Sequence, residues 1–484
     1  MKHMTTDTGN TYTTSLRAKL FYGVGAAAYG IKDNGFAFLL LIYYSQVLGL
    51  PQTLVGTGIF LALIVDALSD PIVGSVSDNL RTRWGRRHPF MYFAALPIAI
   101  LYYFLWSPPI GLSNDGLFVY FLVMAILVRI SITFYEIPSS ALVAELTEDY
   151  HQRTIFMSLR HFFGWCGGLS LSVYAYSVLL VPTEEYPIGV LNPAGYQTYG
   201  LVASILMLAA MWLSALGTHR YIPHLKKSRT AAQSNNLRTI VLQTLETLKN
   251  KSFAAIFICA LFAALAAGLV SALSIYFNTY YWELDNKQIA ALVATLFIAA
   301  VLSAIIAPIL GKRFGKKHAA IGVGLCAALL TPLPYILRSL GLFPDNGTDT
   351  LFYALAGFQL VDVTLIIISA ILVDSMIADI VEQSELLTGR RSEGIFFAAR
   401  SFIRKSVSGV GVLLATTILS VINFPTDAVP GAVAPEVIFN LGLLYVPAIF
   451  TLYIISIGAI FAYKITRDIH EDNLHQLLDG ADSF

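Results

Sequence analysis

Long apolar runs, separated by short polar interruptions, recur along the chain from residue 17 to residue 463. Twelve stand out, near 17–48, 52–79, 89–109, 117–145, 154–181, 197–221, 253–282, 288–311, 318–340, 350–381, 392–423 and 435–463. Most exceed the ~20 residues that an α-helix needs to cross a hydrocarbon core. The excess predicts tilt or extension beyond the bilayer. The pattern therefore predicts an all-α integral membrane protein with twelve transmembrane helices. A polar, basic stretch at 222–252 divides six runs from six, so the expected organisation is 1–221, a linker 222–252, and 253–484.

Composition agrees. The chain is 56% hydrophobic and 13% charged, whereas soluble domains run near 25% charged. The position of the charges adds orientation. Of the Lys and Arg residues, 23 fall at the N-terminus, in the tail and in the loops on one side, two (Lys287 and Arg338) fall in the opposite loops, and six lie within runs. This asymmetry places both termini in the cytoplasm and supports an even number of spans. The net charge of +1 gives no reason to expect nucleic acid as a partner. Cys166, Cys259 and Cys326 lie in apolar runs and read as small buried side chains, not as a disulfide framework. The polar first 16 residues and the long first run argue against a cleavable signal peptide.

The halves echo each other. RTRWGRRHPF (81–90) follows the second run and GKRFGKKHAA (311–320) follows the eighth, with Gly85 and Gly315 at matching points. Two parallel six-helix repeats related by an axis along the membrane normal, as in the major facilitator superfamily, explain the match.

Several ionisable residues lie where the hydrocarbon should be: Lys32, Asp33, Asp66, Asp70, Arg129, Glu136, Arg160, Asp362, Arg400, Arg404 and Lys405. Each costs roughly 2.5–3.5 kcal/mol at a helix centre on insertion scales, so such groups face cavities or pair with one another. Asp66 and Asp70 share one helical face, one turn apart. Two neighbouring carboxylates do not stabilise packing, so they read as a cation site, for Na⁺ if the carrier is sodium-coupled. Arg129 and Glu136, seven residues apart on one face, are either an ion pair or part of a pathway. Asp78, Arg81, Arg83, Arg86 and Arg87 at the expected cytoplasmic mouth read as a charged gate, with Glu145, Asp379, Glu382 and Glu385 as partners for these arginines and for Arg390 and Arg391. Gly23, Gly25, Gly30 and Gly35 in the first run, and Gly164, Gly167 and Gly168 in the fifth, read as close-packing positions. Pro138 should kink the fourth span near Glu136. Enzyme chemistry is poorly supported. The nine histidines lie in loops, tails or near span ends, without metal-ligand spacing, and no phosphate-binding glycine loop follows a strand pattern.

DALSDPIVGSVSDNLRTRWGRRHPF (66–90) resembles the second-helix and loop signature of the glycoside–pentoside–hexuronide:cation symporters. KDNGFAF, FYEIPSSALV, LRHFFGWCGG and RRSEGIFFAARSFIRKS extend the resemblance in order and spacing across both halves. It implies a cation site at Asp66, Ser69, Asp70 and Thr133, and a sugar site at Asp33, Glu136, Arg160 and Lys405 with Ser401 one turn earlier. Carboxylates accept from sugar hydroxyls, while Arg and Lys donate to them. In the family's melibiose carrier an Asn stands at Ser69, a stacking Trp at Ser140 and an Asp at Glu136, and Arg129 has no counterpart. These departures point away from melibiose and toward a uronate or a differently linked glycoside, with Tyr43, Tyr135 and Trp165 as stacking candidates. The expected protein is a monomeric sugar:cation symporter of a bacterial inner membrane. Its coupling ion is Na⁺ or H⁺, it has no other cofactor, and its partners are a small sugar or glycoside and the surrounding lipids. A lysophospholipid symporter on the same fold and a non-transporting sensor are the alternatives.

Overall fold

The computed structural model describes residues 15–147, 150–224, 251–388, 393–426 and 428–464; at 150, 151, 154, 224, 251, 378, 381–388 and 393–404 it describes the backbone alone. Twelve helical segments follow in order: α1 (16–47), α2 (Gln52–Asn79), α3 (His88–Leu105), α4 (Asn114–Leu146), α5 (150–179), α6 (Pro193–His219), α7 (251–281), α8 (Asn286–Phe314), α9 (316–339), α10 (Asp349–Thr388), α11 (Glu393–Val421) and α12 (Pro435–Ile460). Among the described residues, ten are long and apolar enough to cross a membrane. The other two carry intramembrane charges. α1 is interrupted by π turns at Gly35–Leu39 and Tyr43–Val47, just beyond Lys32 and Asp33. In α11 the described side chains begin at Lys405, and an apolar stretch runs from there to Val421. π turns inside helices frequently mark functional sites.

Local chemistry sets the helix starts. Ser113 accepts from the Gly116 amide at 3.2 Å to open α4. Asn192 accepts from the Ala194 amide at 3.1 Å, with Pro193 as the first residue of α6. Asp285 and Gln288 form a reciprocal capping box on α8, at 2.8 and 3.0 Å. Each satisfies amides that the helix itself leaves without partners. α10 continues to Thr388, beyond the apolar run that ends near 381, because Glu, Gln and Leu in that segment are good helix formers. Exposed apolar side chains such as Phe93, Val301, Ile305 and Leu329 cover the flanks, as hydrocarbon contact requires. Cys259 is buried as expected and Cys166 partly so, but Cys326 is exposed on α9, where an apolar flank accommodates a thiol.

The first six helices and the last six follow one plan. α1 and α7 both end in π turns, Tyr43–Val47 and Phe277–Tyr281. Gly85 and Gly315 both hold positive φ, 75° and 77°, at the turns into α3 and α9. Within each set, α1 packs on α5 and α6 as α7 packs on α11 and α12. Between the sets, α2 meets α11, α5 meets α8, and α1 meets α7. Polar contacts across this divide gather at the end away from the basic loops. Ser45 Oγ lies 2.5 Å from Tyr276 Oη. Gln46 donates to the Pro425 carbonyl at 2.9 Å and accepts from Tyr280 Oη and the Ala428 amide, each at 3.2 Å. Gln52 donates to the Phe424 carbonyl at 3.0 Å. The bundle is closed at that end. The linker expected at 222–252 lies almost wholly outside the described residues.

The α1–α5 crossing depends on small residues. A Cβ on Gly30 would collide with the backbone of Gly164, which cannot move aside cheaply. A methyl added at Gly322, by contrast, would have nothing within 4 Å. Gly30→Ala should therefore destabilise the protein by roughly 1–3 kcal/mol, the usual cost of overpacking, while Gly322→Ala is neutral. Thermal unfolding in detergent checks both.

Candidate functional site

Midway along α2, Asp66 and Asp70 face α4 and α11. Thr133 on α4 is the point of convergence. Its Oγ1 lies 3.0 Å from Asp66 Oδ1, 3.3 Å from Asp70 Oδ1 and 3.3 Å from Ser69 Oγ. The four residues expected to form a cation site are thus brought together. The Thr133 hydroxyl has one proton and also lies 3.0 Å from the Arg129 carbonyl, so it serves one acceptor at a time. The oxygens suit a small hard cation in type.

Fixed cations already surround these carboxylates. Lys405 Nζ lies 2.6 Å from Asp70 Oδ2 and 3.5 Å from Asp66 Oδ2. Arg129 Nη1 lies 3.1 Å from Asp66 Oδ2 and 3.9 Å from Asp33 Oδ1, with its guanidinium 4.3 Å from the centre of the Phe36 ring. Lys32 Nζ lies 2.7 Å from Asp33 Oδ1. Lys405, expected on the sugar side, therefore stands on the carboxylate pair and links the two expected sets of residues. Arg129 pairs with Asp66 and Asp33, not with Glu136. Seven residues along a helix separate Arg129 from Glu136 by about 10 Å of rise, too far for a direct ion pair.

Of the remaining expected sugar residues, Asp33 lies on α1, Glu136 on α4 and Arg160 on α5. The Asp33 side chain is open despite its position midway along α1. Glu136 is partly buried and makes no ion pair among the described residues. Arg160 is buried, donating to Ser139 Oγ at 3.2 Å and to the Glu136 carbonyl at 3.3 Å. Its guanidinium lies 4.8 Å from the centre of the Tyr29 ring. The side chain of Ser401 lies outside the described residues. The expected stacking residues stand elsewhere. Tyr43 is buried and stacked on Tyr196 at 4.6 Å, Tyr135 is fully buried, and Trp165 is half-exposed on α5. Aromatic faces beside the charges include Tyr29 and Phe36. Sequence reasoning missed both, although Tyr29 lies one turn before Asp33 and Phe36 one turn after it, which puts them on one face of α1.

At the basic end, Glu145 Oε1 accepts from Arg86 Nε at 2.7 Å and from Arg87 Nε at 2.9 Å. Arg87 also bridges to Asp78 and donates to Ser77 Oγ at 2.6 Å. In the second set, Lys316 Nζ lies 2.5 Å from Asp379 Oδ1. These pairs stay within their own set of six helices, because each basic residue lies within two positions of its turn glycine and faces the end of a neighbouring helix. Asp379, expected as a partner for arginines, pairs here with Lys316 among the described residues. Arg81 and Arg83 are exposed and form no ion pair among the described residues. Glu382, Glu385, Arg390 and Arg391 lie outside the described side chains.

Comparison with known proteins agrees with this architecture. An uncharacterized symporter of Synechocystis is 26% identical, over 95% of this chain and 96% of its own. The isoprimeverose transporter of Lactiplantibacillus pentosus is 23% identical, over 92% and 88%. The crystal structure of a D-xylose-proton symporter superposes with a TM-score of 0.60 at 13% identity, covering 93% of this chain and 97% of the other, a likeness of fold alone. Residues 21–467 match the family model described as MFS/sugar transport protein, and the chain belongs to that family.

Proposed function

We propose that this protein is a sugar:cation symporter of a bacterial inner membrane. It moves a glycoside, pentoside or hexuronide together with Na⁺ or H⁺ by alternating access, and it acts as a monomer. The observation that carries the reading is the Lys405–Asp70 contact of 2.6 Å. It joins the carboxylate pair of one six-helix set to the cation of the other. A charge arriving at Asp70 competes with Lys405, so occupancy of the site and the relation between the two sets are linked. The isoprimeverose transporter among the relatives supports a sugar as the solute. The open carboxylate of Asp33, with Glu136 and Tyr29 nearby, suits a polyhydroxylated ring: acids accept from hydroxyls, and an aromatic face covers the C–H surface.

The excess of Lys and Arg at one end supports a cytoplasmic location for that end and for both termini. On that orientation the hydrogen bonds of Gln46 and Gln52 seal the outer side, and the protein is in an inward-facing form. Rocking of the two sets about the midplane site would then expose it alternately. The intramembrane site and the solute exchange are linked reciprocally: each ligand alters affinity for the other by the same factor.

Proteoliposomes decide the reading. A panel of glycosides, pentosides, hexuronides and lysophospholipids is offered while Na⁺ and H⁺ movement is followed. A sugar that drives cation entry is the expected result; a lysolipid that does so, with no sugar active, overturns it. In the same vesicles Asp70→Asn should lower accumulation against a gradient at least tenfold while leaving the protein folded. Lys405→Ala should impair both solute binding and coupling. Tyr29→Ala should weaken solute binding, by equilibrium dialysis, by about fivefold to tenfold, in line with an aromatic contact of ~1 kcal/mol, whereas Trp165→Ala should leave it unchanged.

A further inference from the structure

A coupling cation needs negative charge that nothing else has neutralised. Around Asp66 and Asp70 that charge is balanced, among the described residues, before any ion arrives. Three carboxylates (Asp33, Asp66 and Asp70) face three fixed cations (Lys32, Arg129 and Lys405) at 2.7, 3.1 and 2.6 Å respectively for the closest pairings. Glu136 and Arg160, on the same side, contribute one further charge of each sign.

The two cations that touch the pair are not equivalent. Lys405 reaches in from α11, which belongs to the other six-helix set. Its flexible stem can withdraw when the sets move apart. Arg129 belongs to α4, packed directly on α2 in the same set. It is 5% exposed, stands over the Phe36 ring with its guanidinium carbon 4.3 Å from the ring centre, and bonds Asp66 at 3.1 Å. Its Nε is buried without a hydrogen-bond partner, so the fork is held mainly by charge on Asp66. Rocking of the sets does not remove it. When Lys405 leaves, Asp70 is bared, but Asp66 remains paired.

We propose that Arg129 is the residue that excludes Na⁺ from this site, making the carrier independent of sodium; the proposal rests on the sugar:cation reading above. A sodium ion held by Asp66 Oδ1, Asp70 and Thr133 would sit on the carboxylate whose other oxygen already carries the guanidinium. A like charge within ~4–6 Å disfavours the newcomer, by about two orders of magnitude in affinity at an effective dielectric near 20. Ser69, a neutral hydroxyl that also bonds the Asp66 carbonyl at 2.9 Å, adds no charge to offset this.

The test is direct binding of ²²Na⁺ to the purified full-length protein in nanodiscs, which does not depend on identifying the solute. The wild type should bind no more than the background of an Asp66→Asn, Asp70→Asn double variant. Arg129→Gly and Arg129→Gln should each gain saturable binding at least tenfold above it, and Arg129→Lys, which keeps the charge, should behave as the wild type. The second neutral variant guards against misfolding of the first. Saturable wild-type binding that neither neutral substitution strengthens overturns the proposal, as does failure of both folded neutral variants to gain binding. Loss of the symport reading has a different signature: no sugar moves any cation in vesicles, whatever the ²²Na⁺ measurement gives.

Discussion

Charge placed in a low-dielectric interior has to be balanced locally, and the middle of this molecule is arranged around that requirement. Taking a carboxylate out of water costs several kcal/mol, and a partner in good geometry is needed to offset it. Asp66 has two cations on its Oδ2, Arg129 at 3.1 Å and Lys405 at 3.5 Å, and a hydroxyl on its Oδ1. Asp70 has Lys405 on one oxygen and Thr133 near the other. Three of the contributing helices, α1, α2 and α4, belong to the first set. The fourth, α11, belongs to the second. The balance is therefore also a mechanical link between the two sets, made where Lys405 of one set meets the carboxylates of the other.

The rest of the fold keeps that link under control. Glycine-lined crossings bring α1 against α5 and α7 against α11, packing the helices closely within each set. Hydrogen bonds from Gln46 and Gln52 close one end by reaching main-chain carbonyls across the divide. Such contacts are individually worth about 1 kcal/mol and are readily exchanged for water. At the other end the ion pairs among the described residues lie within each set: Arg86 and Arg87 on Glu145, Lys316 on Asp379. They fix the loop after the turn glycine to the neighbouring helix, so each set moves as a unit. A reversible seal at one end and internally braced loops at the other fit a molecule that alternates between two closures.

Much of this was legible in the chain because hydrocarbon imposes simple rules. Helix number, the two-fold repeat and the matched glycines at 85 and 315 follow from run length and loop chemistry. The grouping of Asp66, Ser69, Asp70 and Thr133 followed from the family resemblance, and helical spacing alone placed the two acids together. What was not legible is direction. Arg129 lies on the same helix as Glu136, and sequence spacing suggested that pair; only the packing of α2 against α4 turns its guanidinium to Asp66. Tyr43 and Tyr135 are reasonable platforms by type, but both are buried, Tyr43 against the Tyr196 ring. Lys405 belongs to a helix more than three hundred residues from Asp70, so no local pattern could have joined them. Arg86 and Arg87 were separable from Arg81 and Arg83 only once the turn at Gly85 had fixed which of them face Glu145.

The central claim, that Asp70 and Lys405 neutralise each other across the two sets, is tested most directly by a double-mutant cycle on thermal unfolding. Removing one member of a buried ion pair leaves the other uncompensated and costs up to about 3–5 kcal/mol, while removing both is far less harmful. Asp70→Asn and Lys405→Gln should each lower the unfolding temperature, and the double variant should be more stable than either single one. Losses that simply add in the double variant would contradict the account.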